Sequence, residues 1–232
     1  MSANNPPPSP HSNPFASRYV RPGSLTFRSK PGIRDESNEE FVRSLVDSLR
    51  QHRCGMIVGD HGTGKSTLLR ELAATLADEM PGGQWVQLTL PEGGSRWHLR
   101  ETVANIATVR RLARQTEPGG VLVIDGGEQL PAVYRMWLSI QIKRRGRFCL
   151  MTSHASVAGF ETLYQTSLSA ELIEELVSEL LAHDPPAKAP EHERNVSTEV
   201  RRYLGGIDLS DVSNLRDLWD DLYEVVERVT EQ

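Results

Sequence analysis

Eight residues, Gly59-Asp60-His61-Gly62-Thr63-Gly64-Lys65-Ser66, followed by Thr67, meet every fixed position of the pattern GxxxxGK[ST]. No other stretch restricts the fold so much, because such a loop works only between a buried strand and a helix whose N-terminus faces the ligand. Both flanks fit. Cys54-Gly55-Met56-Ile57-Val58 is a short apolar run, and Leu68, Leu69, Leu72 and Leu76 mark one face of a helix. Glycines let the backbone turn its N–H groups onto phosphate oxygens, Lys65 meets the β and γ charges, and Ser66 reaches a magnesium ion. Residues 59–67 are therefore the expected binding site for a nucleoside triphosphate, with ATP and Mg2+ as the expected ligands.

The rest of the chain supplies the sheet that such a loop needs. Trp85–Leu90 alternates as a strand between Pro81-Gly82-Gly83 and Pro91-Glu92-Gly93-Gly94. Leu99, Val103, Ile106 and Val109 return to helical spacing. Val121-Leu122-Val123-Ile124-Asp125 reads as a strand buried on both faces with an acid at its carboxyl end. A helix opens near Pro131 and closes at Gly146. Phe148–Ser153 is another buried strand, and Thr162–Ser167 is extended before a helix with Leu172, Ile173, Leu176, Val177 and Leu180 inward. Alternating strands and helices predict an α/β fold: a three-layer sandwich of parallel sheet between helices, with ligands at the carboxyl edge of the strands.

Four segments are expected. Residues 1–34 hold seven prolines among Ser and Asn and are read as a disordered arm, in which Phe15, Tyr19, Val20 and Leu25 offer anchoring side chains. Residues 35–183 form the phosphate-loop domain; Ser37 and Glu40, at capping-box spacing, open its first helix, which turns Phe41, Val42, Leu45, Val46 and Leu49 inward. The helix after Ser167 is counted as the last of this domain. Residues 184–192 are a linker rich in Pro, Ala, Glu and His, and residues 193–232 a small helical lid.

Composition narrows the class. A net charge of −5 argues against a protein made chiefly to coat nucleic acid, and no recognition helix, zinc module or aromatic strand platform is evident. The two cysteines, Cys54 and Cys149, lie inside apolar runs and are expected as buried reduced thiols. No apolar run reaches membrane-spanning length, so a cytoplasmic protein without a membrane role is expected.

Asp125 has the setting of an acid that holds magnesium through water, and Glu128, three residues on, is the expected base for the attacking water. As a helix-start acid, Glu128 has an equally simple structural reading. Thr152, with Ser153 and His154, ends the following strand, where a polar group can monitor the γ-phosphate. Together these stretches resemble the P-loop ATPases with an additional catalytic acid, most closely the AAA+ and related NACHT and STAND-type ATPases. The resemblance rests on residues 59–66, on Leu122–Glu128 and Leu150–His154, and on Asn214-Leu215-Arg216-Asp217-Leu218, which looks like the AAA+ lid signature. It implies that Lys65, Glu128, Thr152 and Arg216 act on the γ-phosphate and that Ser66 and Asp125 hold the metal. Gly126 stands where AAA+ chains usually place the catalytic Glu, so Glu128 is displaced in the NACHT manner. The resemblance thus implies an ATPase switch acting on a macromolecular partner or on further copies of itself. A slow or non-hydrolysing nucleotide-dependent scaffold is the rival, and a small-molecule kinase, which the acidic tail disfavours, is a third reading.

Overall fold

The computed structural model describes residues 13–20, 27, 35–89, 95–182 and 190–230. In chain order the first elements are α1 (Ser17–Val20), α2 (Asp35–His52), β1 (Cys54–Val58), α3 (Lys65–Glu79) and β2 (Gln84–Gln87). Then come α4 (Ser95–Gln115), β3 (Val121–Asp125), α5 (Ala132–Arg144), β4 (Phe148–Ser153) and β5 (Glu161–Gln165). Helices α6 (Ala170–Ala182), α7 (Pro190–Gly205) and α8 (Leu215–Thr230) complete the chain. Two units divide it, with crossings at Leu25/Thr26 and Ser167/Leu168.

The central unit is a five-stranded sheet in the order β2-β3-β4-β1-β5. Every pairing is parallel, so all strands deliver their carboxyl ends to one edge. Strand side chains alternate between two apolar layers, as the two-residue period requires. On one face Cys54, Met56, Val58, Leu122, Ile124, Cys149 and Met151 meet Val109 and Leu112 of α4 and Leu138 and Ile142 of α5. On the other, Ile57, Val121, Val123 and Leu150 meet Val42, Leu45, Val46 and Leu49 of α2 and Leu68, Leu69, Leu72 and Leu76 of α3. This is the expected three-layer α/β arrangement. Both cysteines are free and buried, and burial pushes the Cys54 thiol up to about 11 and Cys149 well above the ordinary thiol range.

Several boundaries differ from the sequence reading. Helix α2 begins at Asp35, ahead of the Ser37–Glu40 spacing that was to open it. Strand β2 ends at Gln87; Leu88 N still donates to Asp125 O at 2.7 Å, while Leu90 and the Pro91–Gly94 break lie outside the described residues.

The second unit is helical, and it takes α6 away from the sheet domain to which the sequence reading assigned it. The reason is packing: Ile173, Leu176, Val177 and Leu180 share one cluster with Val196, Val200, Leu215, Leu218, Trp219, Leu222 and Val226. An amphipathic face states that a helix must be covered, not by what. Phe15 joins the same cluster at 2% exposure, its ring stacked on Trp219 with centroids 5.8 Å apart. Asn13 Nδ2 donates to Tyr223 O at 2.9 Å and to Glu227 Oε1 at 3.2 Å. The rest of the expected 1–34 arm, apart from residues 13–20 and Phe27, lies outside the described residues, as does 184–189 of the expected linker; α7 already begins at Pro190.

Candidate functional site

Strand β1 runs straight into the glycine-rich loop, and α3 leaves it at Lys65. Gly59 is buried in the turn, its N–H donating to Ser153 O at 3.2 Å. A Cβ there would lie 2.1 Å from Thr166 Oγ1 and 2.8 Å from Thr63 Oγ1, so only glycine fits. Thr63 Oγ1 and Thr166 Oγ1 are 2.6 Å apart, and Thr63 Oγ1 also donates to Asp60 O at 2.8 Å. Gly62 and Gly64 have φ values of 72° and 90°. Asp60 and His61 are exposed at the tip, and Thr67 lies half-buried in the first turn of α3.

Lys65 Nζ folds back over the loop, donating to Gly59 O at 2.7 Å and Asp60 O at 2.6 Å. The ammonium is thereby held at the loop's mouth by two carbonyls, neutral acceptors that an anionic oxygen can replace with stronger charge-assisted bonds. Ser66 Oγ donates to Asp125 Oδ1 at 3.0 Å. The carboxyl end of β3 and the first turn of α3 are thus joined through one hydroxyl and one carboxylate.

Asp125 is 8% exposed, and the same Oδ1 accepts from Thr152 Oγ1 at 2.9 Å. Thr152 Oγ1 in turn accepts from Gly126 N at 2.8 Å. The proton of the Thr152 hydroxyl is therefore committed to the carboxylate behind the loop. Thr152 is 1% exposed. Gly126 has a φ of 87°, and a Cβ on it would meet Leu88 O at 2.5 Å, which explains why the position after Asp125 carries no acid. Glu128 comes instead from a short 3-10 turn, Gly127–Gln129.

Around Glu128 stand three groups that the sequence alone did not connect. His154 Nδ1 is 3.1 Å from Gly59 O, and because a carbonyl only accepts, that nitrogen carries the hydrogen. His154 Nε2 lies 3.5 Å from Glu128 Oε1, and the His61 ring lies against His154 with centroids 4.0 Å apart. Arg135, from the first turn of α5, donates from Nη1 to Ser153 Oγ at 3.1 Å. Burial holds the Arg135 guanidinium below its ordinary range, and the charge of Glu128 opposes that shift. Among the described residues, Glu128 Oε2, His154 Nε2 and Arg135 Nε are buried without a hydrogen-bond partner. Buried polar atoms left so are costly unless another group completes them.

Loop residues 59–67 with Asp125, Glu128 and Thr152 thus converge on the carboxyl edge of the sheet, joined by His154, Arg135 and Thr166. Arg216 belongs to the helical unit, in the first turn of α8, where its N–H donates to Asn214 Oδ1 at 3.1 Å. Among the described residues Arg216 forms no ion pair with Asp217, Asp220 or Asp221; Asp221 accepts from Tyr203 Oη at 2.8 Å.

A family described as an AAA domain matches residues 47–177, more than half of the chain. Among solved structures, C. elegans PCH-2 is 15% identical, with 94% of this chain and 73% of that one covered at a TM-score of 0.43. An AMPPCP-bound DnaA from Aquifex aeolicus is 12% identical, with 86% and 67% covered at a TM-score of 0.48. A replication initiator DnaA bound to AMPPCP and single-stranded DNA is 15% identical, with 84% and 62% covered at a TM-score of 0.46, so the chain spans less than two thirds of that protein. No curated protein matches.

Proposed function

The chain belongs to the AAA domain family, and from that premise we propose that it binds and hydrolyses ATP, using the cycle to switch its hold on a macromolecular partner. The observation that carries this reading is the bond network from Ser66 through Asp125 to Thr152 and Gly126, which fixes an acid beside the phosphate loop. In this reading the loop amides of residues 59–67 and Lys65 hold the triphosphate, and Arg216 keeps the role toward the terminal phosphate that the lid signature implies.

Ser66 Oγ and Asp125 Oδ1 offer oxygen donors 3.0 Å apart, the hard ligands that Mg2+ prefers, so these two residues would hold it. When bound, the ion supplies charge neutralisation to the phosphates. Glu128 accepts the proton of a water that attacks the γ-phosphorus; a new P–O bond forms, the bond to the β-phosphate oxygen breaks, and ADP leaves. His154 positions Glu128 from the side of Gly59.

A second reading, a nucleotide-dependent scaffold with slow or no turnover, draws on the contact of Glu128 Oε1 with His154 and its acceptance from Gln129 Nε2 at 3.4 Å. The two readings part in a turnover assay. Glu128→Gln is expected to keep ATP affinity and lose about a hundredfold or more in turnover. Wild-type protein that binds ATP without measurable turnover selects the scaffold, and a Glu128→Gln variant that turns over normally removes Glu128 from the chemistry.

A further inference from the structure

Helix α5 turns a second apolar stripe away from the core. Val133, Met136, Trp137 and Ile140, at the i, i+3, i+4, i+7 spacing of one helical face, are 74%, 45%, 39% and 42% exposed. A helix of a two-unit protein needs one buried stripe, and α5 already has it in Leu138 and Ile142. The outward stripe is surplus to the fold. A contiguous exposed row of large side chains including tryptophan is what an interaction surface presents.

Its setting shows why it stays open. Parallel strands of one sheet ordinarily need a crossover of a dozen or more residues, usually a helix, and β4 and β5 lie on either side of β1. Between β4 and β5 the chain has only residues 154–160, with no helix among them. This loop lies along one flank of α5, where Lys143 Nζ donates to Gly159 O at 3.2 Å. On the opposite flank α5 has a helical neighbour, α4, reached by Tyr134 Oη donating to Ile106 O at 3.3 Å.

Charge selects the occupant. The apolar positions are followed by Lys143, Arg144 and Arg145, and α5 contains no acid. Arg144 and Arg145 are exposed and, among the described residues, make no ion pair. A second copy seated through its own α5 offers these cations no acid on that helix, since a two-fold contact repeats the same patch. A membrane-seeking helix flanks its apolar face with cations along its length, whereas here they gather at one end.

We propose that this face of α5 docks an amphipathic helix of a partner protein whose apolar stripe is followed by acidic residues, in the helix-to-helix mode read through i, i+3, i+4, i+7 anchors. The surface stands independently of nucleotide chemistry. It is tested on the full chain with a fluorescent, helix-forming synthetic peptide bearing leucines at those four spacings followed by glutamates, and with a twin carrying lysines instead. Fluorescence anisotropy is expected to show the acidic peptide bound at least about tenfold more tightly than its twin, with Trp137→Glu and Val133→Glu each weakening it about tenfold or more. Arg144→Glu is expected to reverse the preference between the peptides. Val133 is the more exposed position, so its variant reports binding even if the tryptophan change disturbs folding. No binding, equal binding of the two peptides, or binding unchanged in both Glu variants overturns the proposal. Sedimentation showing self-association of the chain that Trp137→Glu abolishes overturns it in favour of a second copy. Capture on vesicles of phosphatidylserine and phosphatidylcholine, lost in the same variant, overturns it in favour of a lipid surface.

Discussion

Asp125 illustrates how little freedom the site leaves to a side chain. One carboxylate oxygen receives both the Ser66 and the Thr152 hydroxyls, so its place beside the loop is set from two directions. Asp125→Asn keeps the shape but replaces a charged oxygen acceptor by an amide, weakening the proposed Mg2+ ligand while leaving the loop amides proposed to hold the phosphates untouched. ATP affinity measured by calorimetry with and without Mg2+ is expected to fall chiefly in the presence of the metal. Equal losses under both conditions contradict the ligand role. Thr152, expected on the γ-phosphate side, has its proton committed to Asp125, so its contribution to the proposed cycle is to hold that carboxylate. This was not legible in the sequence, because strand position shows that Thr152 lies at a carboxyl end but not which way its hydroxyl is spent. The same applies to His154: its spacing from Glu128 carries no signal, and the contact arises only because β4 and the turn after β3 end on one edge.

Helices and strands were far more legible than their partners. Apolar runs located β1, β3 and β4, and the leucine spacing of residues 68–76 located α3, because burial on both faces of a parallel sheet leaves a continuous pattern. Strand β2 is shorter than its alternation implied. Assignment of α6 failed for a different reason: its inward face of Ile173, Leu176, Val177 and Leu180 suits any apolar surface, and α7 and α8 provide it. The short segment around α1 shows the same physics in reverse: composition reads it as a disordered arm with Phe15 among its anchoring side chains, and Phe15 packs into the helical cluster. Phe15, 2% exposed against Trp219, is expected to cost about 3–5 kcal/mol on change to alanine, the range for removing a core phenylalanine. Urea unfolding followed by helical circular dichroism checks this. An unchanged midpoint would mean that the segment contributes nothing to the helical unit.

The chain crosses twice between its two units, at Leu25/Thr26 and at Ser167/Leu168, so the helical unit is built from both ends of the sequence. Among the described residues no helix is long and apolar enough to cross a membrane. The switch proposed here requires the helical unit to respond to the terminal phosphate. Arg216 stands in the first turn of α8, where the helix dipole disfavours a cation, and no ion pair with its neighbouring aspartates offsets that. Arg216→Ala is expected to weaken ATP binding markedly and ADP binding little, because only ATP carries the group it is proposed to meet. Matched titrations that change equally, or not at all, remove it from the switch.

Everything proposed about the cycle depends on the loop of residues 59–67 holding a triphosphate. Lys65 is the side chain whose loss separates a working loop from a merely well-folded glycine turn, because its ammonium, held at the mouth by Gly59 O and Asp60 O, is the charge proposed to meet the β- and γ-phosphates. Isothermal titration of ATP with Mg2+ into the wild-type chain and into Lys65→Ala is the direct measurement. Saturable binding by the wild type and its abolition in a folded Lys65→Ala variant is the predicted result; identical isotherms for the two proteins, or no binding by the wild type, would contradict it.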